Sequence, residues 1–126
     1  ISMNYEENLL FTKEHVWMKK LHGNFFQLGI TNFAQDLLGD IVFVEIHLNR
    51  EVAGGESLGS IESVKTASEI ICPNLCKVQS VNQEILKTPE LINDAPYETW
   101  ICEVEFITEI KSENFLTHKM YQESIK

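Results

Sequence analysis

The chain has 126 residues, 44% of them apolar and 23% charged, a balance that excludes a disordered polymer and suits one domain over 1–126 with a real core. Nineteen acidic against ten basic residues give a formal charge of −9, which repels nucleic-acid phosphates and anionic lipid and points to proteins as partners. Arg50 is the single arginine, so no guanidinium cluster can grip phosphate, and no apolar run approaches the length of a membrane span.

Ile1 to Asn8 carries neither an apolar signal core nor an Arg-rich transit pattern. Phe25–Ile30 predicts a strand, and Thr31–Leu38 a short helix capped by Thr31 or Asn32 and stopped in a left-handed conformation at Gly39. Ile41–Ile46 is β-branched, aromatic and continuously apolar at its start, which predicts a central strand covered on both faces. Gly54, Gly55 and Gly59 mark a turn leading into the next strand. Leu58–Ser63 paired antiparallel with Thr66–Cys72 makes a hairpin with Val64 and Lys65 at its tip, the ammonium pointing away from the sheet.

Pro73 interrupts pairing, and Lys77–Val81 predicts a strand folding back toward the first. Thr88 is placed to cap a brief helix with Pro89 at its first position, where a missing donor costs nothing. Trp100–Ile107 alternates apolar and polar after its first residues, as a strand with one wet face does. From Ser112 onward, Phe115, Leu116, Met120 and Tyr121 fall near helical spacing and predict a C-terminal amphipathic helix. Trp17, Phe26, Phe43 and Trp100 are expected in the core.

Cys72, Cys76 and Cys102 are too few and odd in number for a secreted disulfide framework, so a reducing compartment is expected and the thiols read as small, half-buried hydrophobes. Cys72 and Cys76 could begin a zinc site, but His22, His47 and His118 stand at no ligand spacing to complete one, and no metal is expected. Asp36, Asp40 and Glu45 are candidates for a catalytic carboxylate pair, yet each suits a helix end or a solvated surface. His15, beside Val16 and Trp17, reads as a hydrogen-bonded structural residue. With no nucleophile paired to a base, the chain reads as a non-enzyme.

Lys65 is the residue that changes the reading. The run Glu62-Ser63-Val64-Lys65-Thr66-Ala67-Ser68-Glu69 resembles the lipoyl-attachment hairpin of glycine cleavage system H proteins, which carry Glu-Ser-Val-Lys-Ala followed by Ser-Asp. The resemblance extends in order from Phe11 to Phe106. It takes in Thr12-Lys-Glu-His15-x-Trp17, the run from Gly29 through Thr31, Ala34, Gln35, Leu38 and Gly39 to Glu45, then Gly55-Glu56 with Gly59, and Pro89 to Asn93 with Pro96, Tyr97 and Trp100. Several motifs in fixed order are specific where a lone Glu-Ser-x-Lys is not.

That resemblance implies a mainly β fold, a flattened lipoyl-domain-like barrel of two quasi-symmetric sheets with short helices. It implies no catalysis but carriage: a lipoyl group in amide linkage to Lys65 takes the aminomethyl group of glycine from a pyridoxal-phosphate glycine decarboxylase. An aminomethyltransferase then passes the one-carbon unit to tetrahydrofolate, and a flavin dihydrolipoamide dehydrogenase reoxidises the dithiol. Glu62, Ser63, Val64 and Glu69 flank the attachment point as recognition residues; for Glu62 and Glu69 the alternatives are recognition by the lipoylating enzyme or a docking partner, or solubility and cross-strand charge balance. A monomer is expected, in the mitochondrial matrix of a eukaryote or the cytoplasm of a bacterium.

This chain departs from the family pattern at Cys76 (usually Gly), Val16 (often Glu), Thr99 (usually Gly), Ile46-His47 (usually Leu-Pro) and Glu69 (usually Asp). These changes bear on the cleft that shelters the loaded arm. They keep open an H-like relay that donates lipoate to other enzymes, and a non-carrier domain that retains only the fold. A biotin carrier is disfavoured, since those present Met-Lys-Met and this chain presents Val64-Lys65-Thr66.

Overall fold

The computed structural model describes residues 8–126. β1 (Leu10–Phe11), β2 (Val16–His22) and β3 (Phe25–Ile30) form a meander whose register sets Trp17 opposite Gly29. Any side chain at Gly29 would collide with that indole, so glycine lets the ring lie across the neighbouring strand, where its Nε1 donates to the Pro96 carbonyl at 2.9 Å. α1 (Asn32–Leu38) starts because the Thr31 hydroxyl accepts from the Ala34 N–H at 3.2 Å, and it ends at Gly39, whose φ of +82° few side chains tolerate.

β4 (Ile41–Ile46), β6 (Ser57–Ser63) and β7 (Ala67–Ile71) make a three-stranded antiparallel sheet in the order β4-β6-β7. β5 (Glu51–Val52), β8 (Cys76–Val81) and β9 (Cys102–Phe106) join the first three strands in a six-stranded sheet ordered β1-β2-β3-β9-β8-β5. The two sheets, of six and three strands, give the mainly β, two-sheet architecture expected and sandwich one apolar cluster. Met18, Phe26 and Leu28 enter it from the larger sheet, and Val44, Leu58, Ile61 and Ile70 from the smaller. Each such aliphatic or aromatic side chain, fully buried, contributes about 1.5–3 kcal/mol.

Ile41–Ile46 is an edge strand, not the covered central one its composition predicts. A register shift between Ile41 and Phe43 turns Val42 and Phe43 outward, so Phe43 is 53% exposed instead of a core residue. Gly59 carries a second shift, between Ser57 and Gly59, with φ +155°. A Cβ there would fall on the Glu45 carbonyl of the adjacent strand.

The helical connections differ more from expectation. α2 (Gln83–Lys87), capped by Asn82 and burying only Ile85, carries too little pattern to be read. Thr88 ends that helix, its N–H donating to the Glu84 carbonyl, instead of starting the next one. α3 (Leu91–Asp94) begins after Glu90, with no side-chain cap. The last strand starts at Cys102, leaving Trp100 half-buried outside it, and β8 starts one residue before Lys77.

At the C-terminus, a 3-10 turn (Ser112–Asn114) precedes α4 (His118–Ser124), so Phe115 and Leu116 lie before the helix and Met120 faces solvent. Tyr121 is the anchor. Its ring stacks on Phe11 in a second cluster with Leu9 and Trp17. Its hydroxyl lies 2.8 Å from His15 Nδ1 and 2.6 Å from the Thr31 hydroxyl, tying α4 to the β1–β2 turn and to the start of α1. His15 is thus the hydrogen-bonded structural residue its context predicts, at φ +70°.

Replacing Gly59 by Ala is expected to destabilise the fold by about 2–4 kcal/mol in urea unfolding, through the clash with the Glu45 carbonyl. Gly55→Ala, with positive φ but open space around it, should cost only about 1 kcal/mol. Burial lowers the His15 pKa below 6.5 against a smaller raising effect of Glu14. As pH falls the unfolded chain takes up that proton first, so the stability is complete above about pH 6.5 and declines below it. The melting-temperature gap between wild type and His15→Gln should accordingly narrow on acidification.

Candidate functional site

The hairpin between β6 and β7 turns over Ser63, Val64, Lys65 and Thr66. The Ser63 N–H donates to the Thr66 carbonyl at 2.7 Å, closing the turn. The buried Ser63 hydroxyl accepts from the N–H groups of Lys65 (3.3 Å) and Thr66 (3.1 Å) and approaches the Thr66 carbonyl at 3.1 Å. The remaining N–H, on Val64, donates at 3.0 Å to the Asp40 carbonyl between α1 and β4. All four backbone donors of the tip are therefore used.

The α1–β4 corner that receives Val64 is itself fixed from α3. Asn93 Nδ2 donates to the Gly39 carbonyl at 2.8 Å and to Gln35 Oε1 at 2.9 Å, and its Oδ1 accepts from the Ile41 N–H at 2.9 Å. Asn93 sits in one of the recognised sequence blocks, but no local signal announced this role.

Lys65 is exposed, and among the described residues its ammonium has no ion-pair partner, the one salt bridge being Lys126 to Glu123. Its stem crosses Gly39: a Cβ built there would stand 2.8 Å from Lys65 Cε. Val64 beside it is 70% exposed, and Leu37, Val42 and Phe43, also exposed, surround the same corner with Asp36, Asp40 and Glu62. Glu62 sits between Phe43 and Ala67 across the strands. Ser63 is the lock of the turn, and Glu69 stands away from the tip on β7, opposite Ser60.

Next to the tip, a cleft of about 280 Å³ opens between α1, the start of β2 and the outer hairpin strand from Thr66 to Ile70. Its apolar lining includes Val16, Ile30, Ile61 and Ile70, all buried, and its polar lining includes the exposed Glu14 and Glu69 and half-buried His15. Among the described residues no three His, Cys, Asp or Glu side chains group as metal ligands, and Asp36, Asp40 and Glu45 are all solvated. The arrangement presents a primary amine on a fixed backbone, with a half-apolar cleft beside it able to receive whatever that amine carries.

The family model described as glycine cleavage H-protein matches residues 9–126. A glycine cleavage system H protein of Listeria monocytogenes is 46% identical over 122 residues, covering 95% of this chain and 97% of that relative. One from a Geobacillus species is 42% identical over 126 residues, covering 98% of each. The crystal structure of a glycine cleavage system H protein from Mycobacterium marinum superposes with a TM-score of 0.83 at 28% identity, covering 94% of this chain and 97% of that one. The chain belongs to the glycine cleavage H-protein family, the non-catalytic lipoyl carriers of the glycine cleavage system.

Proposed function

We propose that Lys65 is the attachment residue, its Nζ acylated by lipoic acid in amide linkage. Loaded in this way, the chain shuttles the aminomethyl group of glycine from a pyridoxal-phosphate decarboxylase to an aminomethyltransferase, and a flavin dihydrolipoamide dehydrogenase resets it. The observation that carries this reading is an amine free of ion pairs among the described residues, on a turn whose four N–H groups are all hydrogen-bonded. When attached, the lipoyl group supplies a disulfide that can be opened reductively; the chain supplies presentation and shelter.

The residues fit that group. Exposure of Lys65 admits a lipoylating enzyme, and the buried Ser63 hydroxyl and the Asp40 carbonyl keep the tip in one geometry. No side chain of the hairpin is positioned as a base, so activation of both amine and acid falls to that enzyme. In the cleft, Val16, Ile30, Ile61 and Ile70 suit a hydrocarbon chain, while the carboxylates of Glu14 and Glu69 suit an ammonium. The exposed apolar side chains Leu37, Val42, Phe43 and Val64, rimmed by carboxylates, are the surface a partner covers on approaching Lys65.

Coexpression with a lipoylating enzyme should add one lipoyl group by intact mass, and Lys65→Arg should stay unmodified; an unmodified wild-type chain would overturn the reading. The lipoylated protein mixed with decarboxylase and glycine should support exchange of labelled carbon dioxide. Lipoylation without exchange favours the relay, the reading supported by buried apolar Val16 in the cleft where many members have Glu. Asn93→Ala removes three long-range hydrogen bonds, with an expected loss of about 2–4 kcal/mol in chemical denaturation, and should slow lipoylation of the chain that remains folded.

A further inference from the structure

All three cysteines are buried, and two of them touch. Cys72 directly follows β7 and Cys76 opens β8, with their sulfurs 3.6 Å apart. Backbone bonds fix both positions. The Cys72 N–H donates to the Glu56 carbonyl at 2.7 Å and its carbonyl accepts from Gly55 at 2.9 Å, while Cys76 is in register with Val52 and Phe106. The sulfurs already stand in van der Waals contact and must close from 3.6 Å to about 2.05 Å to bond.

Cys72, 2% exposed, is the one of the pair that borders a groove. With Ile71 and Pro73, Cys72 lines a groove of about 510 Å³ bordered by Thr12 to Glu14 and by Leu116, whereas Cys76 is buried behind it and lines no part of that groove. The Cys72 sulfur lies 3.0 Å from the Asn74 carbonyl and also contacts the Cys76 thiol. That thiol contact holds the pKa of Cys72 below the usual thiol range, and the same contact together with burial pushes that of Cys76 far up. Cys102 is pushed up to about 12 by burial and so stays a thiol.

We propose that Cys72 and Cys76 form a peroxide-oxidisable dithiol, Cys72 the attacking sulfur and Cys76 the resolving one, whose disulfide joins the two sheets. The Cys72 thiolate attacks one oxygen of hydrogen peroxide; the O–O bond breaks, an S–O bond forms, and hydroxide leaves to be protonated to water. Cys76 sulfur then attacks the Cys72 sulfenic acid. An S–S bond forms, the S–O bond breaks, and the departing hydroxide takes the Cys76 proton as a second water. Two thiols and one peroxide thus give one disulfide and two waters, and an external dithiol returns the two electrons. The bond would close the short Pro73–Leu75 connection at the base of the strand that rises to Lys65, and it depends on nothing in the carrier reading.

The test uses the full reduced chain without a lipoyl group, treated with hydrogen peroxide, quenched, denatured and alkylated. One alkyl group per chain is expected, on Cys102, with the tryptic fragment from Thr66 to Lys77 two hydrogens lighter and restored by dithiothreitol. Cys102→Ser should form the same disulfide, and Cys76→Ser should accumulate a Cys72 sulfenic acid trapped by dimedone. Three alkylated cysteines after peroxide, a sulfinate on Cys72 with Cys76 still alkylated, or loss of the disulfide in Cys102→Ser would each overturn the proposal. Should Cys76→Ser not fold, the wild-type and Cys102→Ser masses decide alone.

Discussion

The hydrogen bond from the Val64 N–H to the Asp40 carbonyl is the constraint on which the display of Lys65 depends, because it is the only one of the tip's four N–H bonds that leaves the hairpin. A two-strand hairpin is marginal by itself and its end frays. Here the end is tied to α1, and the α1–β4 corner is tied in turn to α3 through Asn93. Each bond is worth about 1 kcal/mol net, so no single one dominates stability, but together they leave the amine one backbone geometry.

The parts of this scheme that depend on local chemistry were legible in the sequence. Thr31 as a cap, Gly39 as a stop and the Val64-Lys65 tip all follow from residue type and spacing. What was not legible depends on distant partners. A continuous apolar run such as Ile41–Ile46 serves a covered strand or an edge strand equally well, and only the irregular register at Val42 decides that two of its side chains face solvent. Asn93 reads as one polar residue in a four-residue helix, while its three bonds reach positions 35, 39 and 41. α2 buries a single side chain, too few for any periodicity to register.

Departures from the family pattern are absorbed locally. Among the described residues only His15 and Asn49 are non-glycine positions with positive φ, so Cys76 sits in ordinary strand geometry and needs none of glycine's freedom. Thr99 gains a hydroxyl bond to the Leu91 carbonyl at 3.2 Å, which adds a tie to α3. His47 extends the pairing of β4 by donating to the Leu58 carbonyl at 2.9 Å. Two departures line the cleft: Glu69 keeps the usual carboxylate on a longer stem, whereas Val16 replaces a frequent carboxylate by a buried apolar wall.

On the carrier reading, that last change bears on how firmly a loaded arm is held. A carboxylate at a buried wall would bind an ammonium strongly, since the charge would be screened little and the unpaired alternative would be costly. Glu14 and Glu69 are exposed instead, and solvated charges of this kind are worth about 0–1 kcal/mol each. The apolar wall adds affinity for the hydrocarbon part of the arm without distinguishing a loaded arm from an empty one, whereas the carboxylates favour only the loaded form. A carrier must protect its cargo between enzymes yet give it up at the next, and weak, salt-screened discrimination at the cleft rim meets both demands better than a buried ion pair.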